Sequence, residues 1–432
     1  MGISFPRVLV ISHTSFTNED SMGSTLASYF NQYPSEKIAQ LFIKEMQPNI
    51  PVCFSYYKIT DSELFGKILK PFKTKVGSYI SLTKTEMENA VKKTAQVQKI
   101  GKSKNRAVAL LLRNLLWSTK LWNTKEFKKW LKDFSPDVIL VQPGDFGYLI
   151  KMATDLSKKL DIPLVIHQSE SYYLKEYESN SLIYKFYRYN YKKIYEKMME
   201  RASECIYLCE ALERDYKKYF SNIGCTIMKS TNIQSNKKDE FSKKDLKFIY
   251  GGNLGEKVGR SLPLLEMGRA VKKLGYKIDV YTASTGEHLK ELTPENGIEL
   301  HPAVSYDELW EKINESDFIV HMENQSEWHK KDLKYAFSTK VADMLASGKC
   351  SIIYGPCEIA SIAYFKEHSL GCVIEKENEL CEKIKEVIEN DGLRENYIKN
   401  ALTQAAEYHN AEKNAIRTNE IIIKAFNGER VK

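Results

Sequence analysis

The stretch FIYGGNLGEKVGRSL, residues 248–262, joins a short apolar run to a glycine-rich turn and then to a helical pattern. The apolar run predicts a buried strand. The glycines that follow let the backbone approach a ligand closely, because they carry no Cβ. A helix that begins near Ser261 would direct its N–H groups at this turn, which suits a phosphate. The unit predicts an α/β fold with an anion site at the turn; an ordinary solvated turn is the alternative.

Two basic residues, Lys257 and Arg260, lie beside the glycines and could neutralise a diphosphate. The spacing of the glycines fits neither G-x-G-x-x-G nor a Walker loop. Dinucleotides and ATP are therefore not favoured as ligands. The glycines concerned are Gly251, Gly252, Gly255 and Gly259.

Short apolar runs alternate with helical patterns along the whole chain, which is typical of parallel α/β units. The first series of predicted strands is 7–12, 38–43, 138–142, 163–167, 204–208 and 225–228. The second series is 247–251, 277–281, 298–301, 317–321, 351–354 and 371–374. Two such series predict two doubly wound Rossmann-like domains. Their ligand would lie at the carboxyl ends of the strands, in a cleft that both domains face.

The segment between the two series, KSTNIQSNKKDEFSKKD, is polar and charged, as linkers are. The predicted organisation is a first domain over residues 1–228, a linker over 229–245 and a second domain over 246–405. The last helical pattern, 394–426, is predicted to break near 408–410. Residues 406–432 are expected to return to the first domain.

The bulk composition places the chain among globular proteins. It has 432 residues, of which 43% are hydrophobic, and that is enough for two cores. Its apolar runs are shorter than the ~18–20 residues of a membrane span. The start, MGISFPRVLVISHTSF, does not fit a signal peptide. We therefore expect a cytoplasmic protein, whose eight scattered cysteines are buried, reduced thiols and not zinc ligands.

A second cluster, YAFSTKVADMLASGKCSIIYGP, spans residues 335–356. Ser338 is predicted to cap a helix that Thr339 opens. Lys340 and Asp343 are three residues apart, so both can face one side of that helix. The lysine suits an anion, and the aspartate can accept the paired hydroxyls of a ribose. A capped helix with a surface ion pair is the alternative.

The run STKVADMLASGK with IIYGP resembles the donor-binding motif of the GT-B glycosyltransferases, in particular the retaining family 4, or glycosyl transferases group 1. FIYGGNLG and the following GR resemble the first strand and turn of that family's nucleotide domain. SYDELWEKINESDFIVHM resembles its segment of an exposed helix and a strand. The resemblance covers residues 248 to about 373 and implies a GT-B fold with a nucleotide-sugar donor.

By this resemblance, Asp343 would hold the donor ribose, while Lys340 and Arg260 would meet the diphosphate. Many relatives have a glutamate eight residues before the second acid, where this chain has Tyr335. Glu323 or Glu327 would replace that carboxylate. The predicted donor-binding residues are Gly252, Asn253, Arg260, Glu323, Ser338, Thr339, Lys340 and Asp343.

The first half of the chain supplies weaker candidates. The loop SHTSFTNEDSMGST, residues 12–25, is rich in hydroxyls, and Ser24 and Thr25 are predicted to bind the acceptor. A polar surface loop is the alternative. His167 ends a predicted strand, and similar enzymes often have a histidine there that faces the donor sugar. It is a catalytic candidate with Arg260 and Lys340, and a core histidine is the alternative. Glu170 is a further acceptor-binding candidate.

Catalysis is expected without a metal or other cofactor, because the sequence contains no D-x-D motif. Arg260, Lys340 and helix dipoles would stabilise the negative charge that develops on the leaving diphosphate. The resemblance also implies that the anomeric configuration is retained.

The segment 84–132 carries thirteen basic and three acidic residues, with leucines and tryptophans among them. This composition suits a helix on the inner face of an anionic membrane. A solvated helix with a core-facing Leu/Trp stripe is the alternative. Binding to nucleic acid is not expected, because no RNA-binding signature accompanies the charge.

The predicted function is glycosyl transfer from a nucleotide sugar to a glycan or lipid-linked acceptor, a hexosyltransferase type of reaction in cell-surface polysaccharide or glycoconjugate synthesis. Two alternatives remain open at this stage. The chain could be a non-catalytic GT-B-like partner subunit, as Tyr335 in place of an acid suggests. It could also be a nucleotide-sugar epimerase.

Overall fold

The computed structural model of the chain describes residues 5–82, 106–175, 179–220, 223–231, 241 and 244–428. Two compact units make up the fold: Met1–Met228 with Ala411–Lys432, and Lys229–Asn410. The sequence placed the corresponding boundaries after residues 228 and 405. Most of the predicted linker, 229–245, lies outside the described residues.

The first unit has a sheet with the strand order β4-β3-β2-β1-β5-β6-β7-β8, in which every neighbouring pair is parallel except β3 with β4. β1, with the sequence VLVIS, is buried throughout, as expected for a parallel strand covered on both faces. The strands are β1 (Val8–Ser12), β2 (Ile38–Phe42), β3 (Ser55–Lys58), β4 (Ser78–Ser81), β5 (Val138–Val141), β6 (Leu164–Gln168), β7 (Ala202–Tyr207) and β8 (Cys225–Thr226).

Helices of the first unit connect and cover these strands. They are α1 (Ser21–Ser28), α2 (Asp61–Leu69), α3 (Arg106–Ser118), α4 (Lys125–Phe134), α5 (Gly147–Leu160), α6 (Leu182–Arg201), α7 (Glu210–Tyr216) and α15 (Ala411–Phe426). The sequence did not predict β3, β4 or α2. The signal for α2 was present, because Thr60 and Glu63 form a capping box with both of its hydrogen bonds.

The second unit has a fully parallel sheet with the order β11-β10-β9-β12-β13-β14. Its strands are β9 (Phe248–Gly251), β10 (Ile278–Thr282), β11 (Ile298–Pro302), β12 (Phe318–Met322), β13 (Cys350–Tyr354) and β14 (Cys372–Ile374). Its helices are α8 (Ser261–Lys273), α9 (Tyr306–Glu315), α10 (Glu327–Leu333), α11 (Val341–Ala346), α12 (Ala360–Glu367), α13 (Leu380–Glu389) and α14 (Asp391–Tyr408). The structure thus confirms two doubly wound Rossmann-like domains.

Two local expectations concern the ends of helices α11, α14 and α15. The predicted break near 408–410 is confirmed, because α14 ends at Tyr408 and α15 begins at Ala411. The prediction that Ser338 caps α11 is wrong. Lys340 immediately precedes the helix, none of the described side chains caps it, and the carbonyl of Ser338 accepts from the N–H of Val341 at 3.1 Å.

The basic segment 84–132 lies partly outside the described residues. Its three tryptophans, Trp117, Trp122 and Trp130, are buried. Leu112 and Leu115 of α3 are instead exposed. The burial of the tryptophans favours the alternative to a membrane-surface helix, in which a Leu/Trp stripe faces the core. Across the described residues, none of the helices combines the length and the apolar character that crossing a bilayer requires. All eight cysteines are free thiols, but the expectation that all are buried is wrong, because Cys225 is exposed and Cys357 and Cys381 are half-buried.

Candidate functional site

The carboxyl ends of β9 and β12 meet at the point where the strand order of the second sheet reverses. β9 and β12 are neighbours, although two strands separate them in sequence. In doubly wound sheets the crevice outside such a switch point is where ligands bind. β9 runs directly into the glycine-rich turn at Gly251, and Glu323 follows β12.

The turn after β9 needs glycine at two positions. Gly252 has φ +152° and Gly259 has φ +67°, and side chains with a Cβ rarely adopt either value. A Cβ on Gly252 would lie 2.5 Å from Nζ of Lys340, and one on Gly259 would lie 2.4 Å from Nε2 of His329. The turn therefore fits closely around side chains that come from the segment 329–340.

Lys340 extends across this turn. Its Nζ donates to the carbonyl oxygen of Gly251 at 2.9 Å and lies 4.1 Å from the ring centroid of Tyr250. Burial lowers the pKa of Lys340 to about 7, and the charge of Arg260 adds to this effect, while Glu323 opposes it. Near neutral pH this ammonium group is therefore only partly protonated.

Arg260 and Glu323 form a bidentate ion pair. Nη2 of Arg260 lies 2.5 Å from Oε1 of Glu323, and Nε lies 3.1 Å from Oε2. The side chain of Arg260 is 14% exposed and that of Glu323 is 2% exposed. Burial raises the pKa of Glu323, but His321 and Arg260 outweigh it and bring the pKa down to about 2. The carboxylate is therefore charged at every physiological pH.

His321 lies beneath this pair as the fourth residue of β12. It is fully buried, and its Nε2 is 3.4 Å from Oε1 of Glu323. Nδ1 has no hydrogen-bond partner among the described residues, while Nε2 faces the carboxylate of Glu323. Burial lowers the pKa of His321, which favours the neutral ring. We call Tyr250, Arg260, His321, Glu323 and Lys340 the switch-point cluster.

Asp343 has a different set of partners. Its carboxylate hydrogen-bonds with Thr231 and with Tyr306, which opens α9. Burial raises the pKa of Asp343, and these hydrogen bonds oppose the rise. The helix α11 thus places Lys340 against the glycine turn and Asp343 against α9.

The other predicted donor residues border the cluster. Asn253 uses its Oδ1 to accept from the N–H of Gly255 at 2.7 Å and from Oγ of Ser284 at 3.0 Å. Ser338 and Thr339 lie half-buried in the turn before Lys340. Between the two carboxylates considered as replacements for the missing glutamate, Glu323 belongs to the cluster. Glu327 has an 80% exposed side chain that pairs with Lys330.

Sequence reasoning missed three residues of this site. Tyr250 and His321 each lie next to the last residue of a strand, β9 and β12, so the switch-point rule could have identified them. Asn324 donates from Nδ2 to the carbonyl oxygen of Gly259 at 2.7 Å and fixes the glycine turn. No local pattern signals this last contact, because 65 residues separate the partners.

In the first unit, His167 is fully buried inside β6, one residue before its end. Its Nδ1 lies 3.3 Å from Nε2 of Gln142 and its Nε2 lies 3.2 Å from Oη of Tyr29. Burial lowers the pKa of His167 to about 3, so the ring is neutral. With a partner at each nitrogen, this environment favours the alternative of a core histidine.

The acceptor candidates lie on two elements. α1 begins at Ser21, capped by Asp20, and therefore includes both Ser24 and Thr25. The hydroxyl of Thr25 donates to the carbonyl oxygen of Ser21 at 2.7 Å and is buried. Glu170 is exposed two residues after β6.

Comparison with known proteins agrees with this architecture. Residues 264–419 match the family described as glycosyl transferase-like. Among curated proteins, none matches the sequence significantly.

Solved structures show the same fold at low sequence identity. Sucrose-phosphate synthase from Thermosynechococcus elongatus has a TM-score of 0.62 at 10% identity, with 98% of this chain and 99% of that chain covered. HepE from Anabaena, in complex with UDP, has a TM-score of 0.62 at 12% identity, with 97% and 100% covered. WaaG, a glycosyltransferase involved in lipopolysaccharide biosynthesis, has a TM-score of 0.54 at 12% identity, with 96% and 99% covered. The chain therefore has the GT-B fold, and residues 264–419 match the glycosyl transferase-like family.

Proposed function

We propose that the chain transfers a glycosyl group, of the hexosyl type, from a nucleotide sugar to a glycan or lipid-linked acceptor. One observation carries the proposal. Lys340 is held at the switch point by a backbone carbonyl and an aromatic ring, and it forms no ion pair with a described carboxylate. Arg260 and Glu323 cancel each other's charge, so a protonated Lys340 leaves the cluster with a net positive charge. An anionic group such as a diphosphate would balance it.

In the proposed reaction, the bond between the anomeric carbon and the diphosphate oxygen breaks, and the nucleoside diphosphate leaves with the electron pair. The acceptor oxygen bonds to the anomeric carbon, and its proton passes to an oxygen of the leaving diphosphate. Lys340 and Arg260 stabilise the charge on the leaving diphosphate. Asp343 accepts the ribose hydroxyls, for which it exchanges its present hydrogen bonds with Thr231 and Tyr306.

The finer features are proposals as well. Gly252, Asn253, Ser338 and Thr339 border the diphosphate and the sugar. The configuration is retained, and no metal is required: the sequence has no D-x-D motif, and Lys340, with Arg260 beside it, would serve the diphosphate. Ser24, Thr25 and Glu170 contact the acceptor, and His167 remains a catalytic candidate. The pathway proposed is synthesis of a cell-surface polysaccharide or glycoconjugate by a cytoplasmic enzyme at the inner face of the membrane.

The donor is identified by thermal shift with a panel of UDP, GDP, ADP and dTDP sugars, since a ligand that binds the folded state raises Tm. HepE is known in complex with UDP-glucose, so UDP sugars are tested first. Lys340→Ala and Asp343→Ala should each abolish the shift while the variant alone still unfolds cooperatively. Lys399→Ala, an exposed lysine on α14, is the matched control and should respond like wild type. If both site variants respond like wild type, the proposed site is misplaced.

Two other functions use the same fold. A non-catalytic partner subunit would bind the nucleotide sugar without transfer or slow donor hydrolysis, and Tyr335 at the position of an acid is the observation that favours it. A nucleotide-sugar epimerase would convert the sugar of the donor without any acceptor. Incubation with the identified donor, followed by product analysis with and without acceptors, separates all three functions.

A further inference from the structure

Three helices of the first unit carry a concentration of exposed, large apolar side chains. A folded monomer seldom leaves such side chains grouped on its surface unless they contact something. On α2 and the turn after it, Phe72 is fully exposed and Leu69 is 63% exposed. On α6, Leu182 is 82% exposed. The complete set is Phe65, Ile68, Leu69, Phe72, Leu112, Leu115, Leu182, Ile183, Phe186 and Tyr189.

The three helices are neighbours, with α3 packed against both α2 and α6. Asp61, the first residue of α2, fixes one of these contacts. It pairs with Nη2 of Arg113 at 2.8 Å and accepts from Nε1 of Trp117 at 2.8 Å, both on α3. The apolar side chains of α2, α3 and α6 therefore belong to adjoining parts of the surface, which we call the three-helix face.

The spacing along each helix groups these side chains on one side. Positions 65, 68 and 69 follow the i, i+3, i+4 pattern of one face of α2, and Phe72 lies in the turn that follows this helix. Positions 182, 186 and 189 do the same on α6, as do 112 and 115 on α3. These stripes do not serve the core, because α3 and α6 bury other residues, such as Trp117, Tyr187 and Tyr191.

The stretches that carry the exposed apolar side chains are basic, whereas the acids of these helices lie outside them, at Asp61 and Glu63 of α2 and at Glu196 and Glu200 of α6. Residues 64–75, 106–120 and 182–193 contain eleven lysines and arginines and no aspartate or glutamate. Lys70 lies between the exposed Leu69 and Phe72, and Lys73 directly follows Phe72. Lysine can lay its aliphatic stem along apolar surface while its ammonium group reaches a neighbouring anion.

We propose that the three-helix face lies on an anionic lipid surface, with Phe65, Leu69, Phe72 and Phe186 entering the headgroup region and the lysines contacting acidic headgroups. Apolar and aromatic side chains at helical spacing, surrounded by lysine and arginine, are the combination that binds such a surface. The tryptophans of the basic segment take no part, since they are buried. This contact deepens the proposed function, which places the enzyme at the inner face of the membrane, and it rests on that proposal only for its biological setting, because vesicle binding is measured without donor or transfer.

The test is cosedimentation of the full chain with phosphatidylcholine vesicles, with and without about a third phosphatidylglycerol. Wild type should bind the anionic vesicles and lose this binding at high salt, which screens the headgroup charge. Phe72→Glu and Phe186→Glu should each weaken binding about tenfold or more. Lys70→Gln should weaken it about fivefold, which corresponds to about 1 kcal/mol.

Matched controls separate this face from general charge and hydrophobicity. Ile416→Glu introduces the same charge at an exposed apolar position of α15, and Lys399→Gln removes a lysine from the second unit. Both should bind vesicles like wild type. Every variant should keep the wild-type Tm and the wild-type thermal shift with nucleotide sugars. Loss of lipid binding can then be distinguished from loss of donor binding.

Three outcomes would overturn the proposal. Equal binding to neutral and anionic vesicles would show that acidic headgroups are not the partner. Wild-type binding by Phe72→Glu and Phe186→Glu would place the contact elsewhere. A self-associated wild type that these two substitutions convert to a monomer, without any vesicle binding, would assign the three-helix face to a second copy of the chain.

Discussion

The Nζ atom of Lys340 lies 4.1 Å from the ring centroid of Tyr250 and donates a 2.9 Å hydrogen bond to the carbonyl oxygen of Gly251. Both partners are neutral groups that favour a cation, yet neither supplies a full negative charge. The lysine is thereby held in place at the end of β9, and it forms no ion pair with a described carboxylate. The pH dependence of ligand binding should reflect this arrangement.

Nucleotide-sugar affinity should fall as the pH rises above about 7. A diphosphate prefers the ammonium form of Lys340, whose pKa in the free protein is about 7, so binding should take up a proton. The Kd should then increase by up to about tenfold per pH unit above this pKa. Calorimetry in buffers of different ionisation enthalpy measures the proton uptake. Lys340→Arg, which stays charged, should flatten the profile, and a wild-type Kd that is constant across this range would contradict the assignment.

Gly252→Ala should impair donor binding through Lys340. The new Cβ would lie 2.5 Å from Nζ, so the lysine must move off the carbonyl of Gly251. The backbone φ of +152° adds strain, typically about 1–3 kcal/mol. Gly275→Ala is the control, because Gly275 also has a positive φ, +90°, but open space at its Cβ. Both variants should lose stability, and only Gly252→Ala should lose the thermal shift with nucleotide sugars. Equal shifts would show that Lys340 does not mediate binding.

Glu323→Gln should destabilise the protein and alter its acid unfolding. The loss of one partner of a buried ion pair costs about 3–5 kcal/mol of stability, because the remaining charge, here that of Arg260, stays buried without its counter-charge. The folded-state pKa of Glu323, about 2, lies below its ordinary 4.5. Its contribution to stability is therefore present above pH 4.5 and disappears as the pH falls toward 2.

Urea unfolding at neutral and acidic pH measures this linkage. The difference in free energy of unfolding between wild type and Glu323→Gln should shrink as the pH falls. The exposed Glu327→Gln serves as the control and should change stability by less than about 0.5 kcal/mol. A difference that stays constant with pH would mean that the carboxylate is not held by Arg260.

His167→Leu should reduce stability and leave donor binding unchanged. The substitution deprives Nε2 of Gln142 and Oη of Tyr29 of a buried partner, at a cost of about 1–3 kcal/mol. Because Tyr29 shares this network, Tyr29→Phe combined with His167→Leu should be non-additive by about 0.5 kcal/mol or more. Glycosyl transfer measured below the Tm of the variant then shows whether His167 has a catalytic role. If turnover collapses while stability and donor binding hold, His167 is catalytic.

The elements of the fold followed from local patterns. Buried strands such as β1 and β13 are continuous apolar runs, and glycine, proline or polar residues bound them, so their positions were predicted within one or two residues. β3 and β4 were missed, because SYYK and SYIS are short and only partly buried, and pairing defines them: β3 with β2 and β4, and β4 with β3. α11 was placed two residues too early, because Ser338 resembles a cap but only its backbone carbonyl is used.

The sequence by itself determined two parallel α/β series, a glycine turn after β9, and two cations, Arg260 and Lys340, near that turn. It could do so because strand periodicity, the conformational freedom of glycine and charge are local properties. Only the tertiary structure decided that Arg260 pairs with Glu323, 63 residues further along the chain, and that His167 is enclosed by Gln142 and Tyr29. These contacts arise where parallel strands that are distant in sequence end side by side, and no local pattern records which side chains then meet.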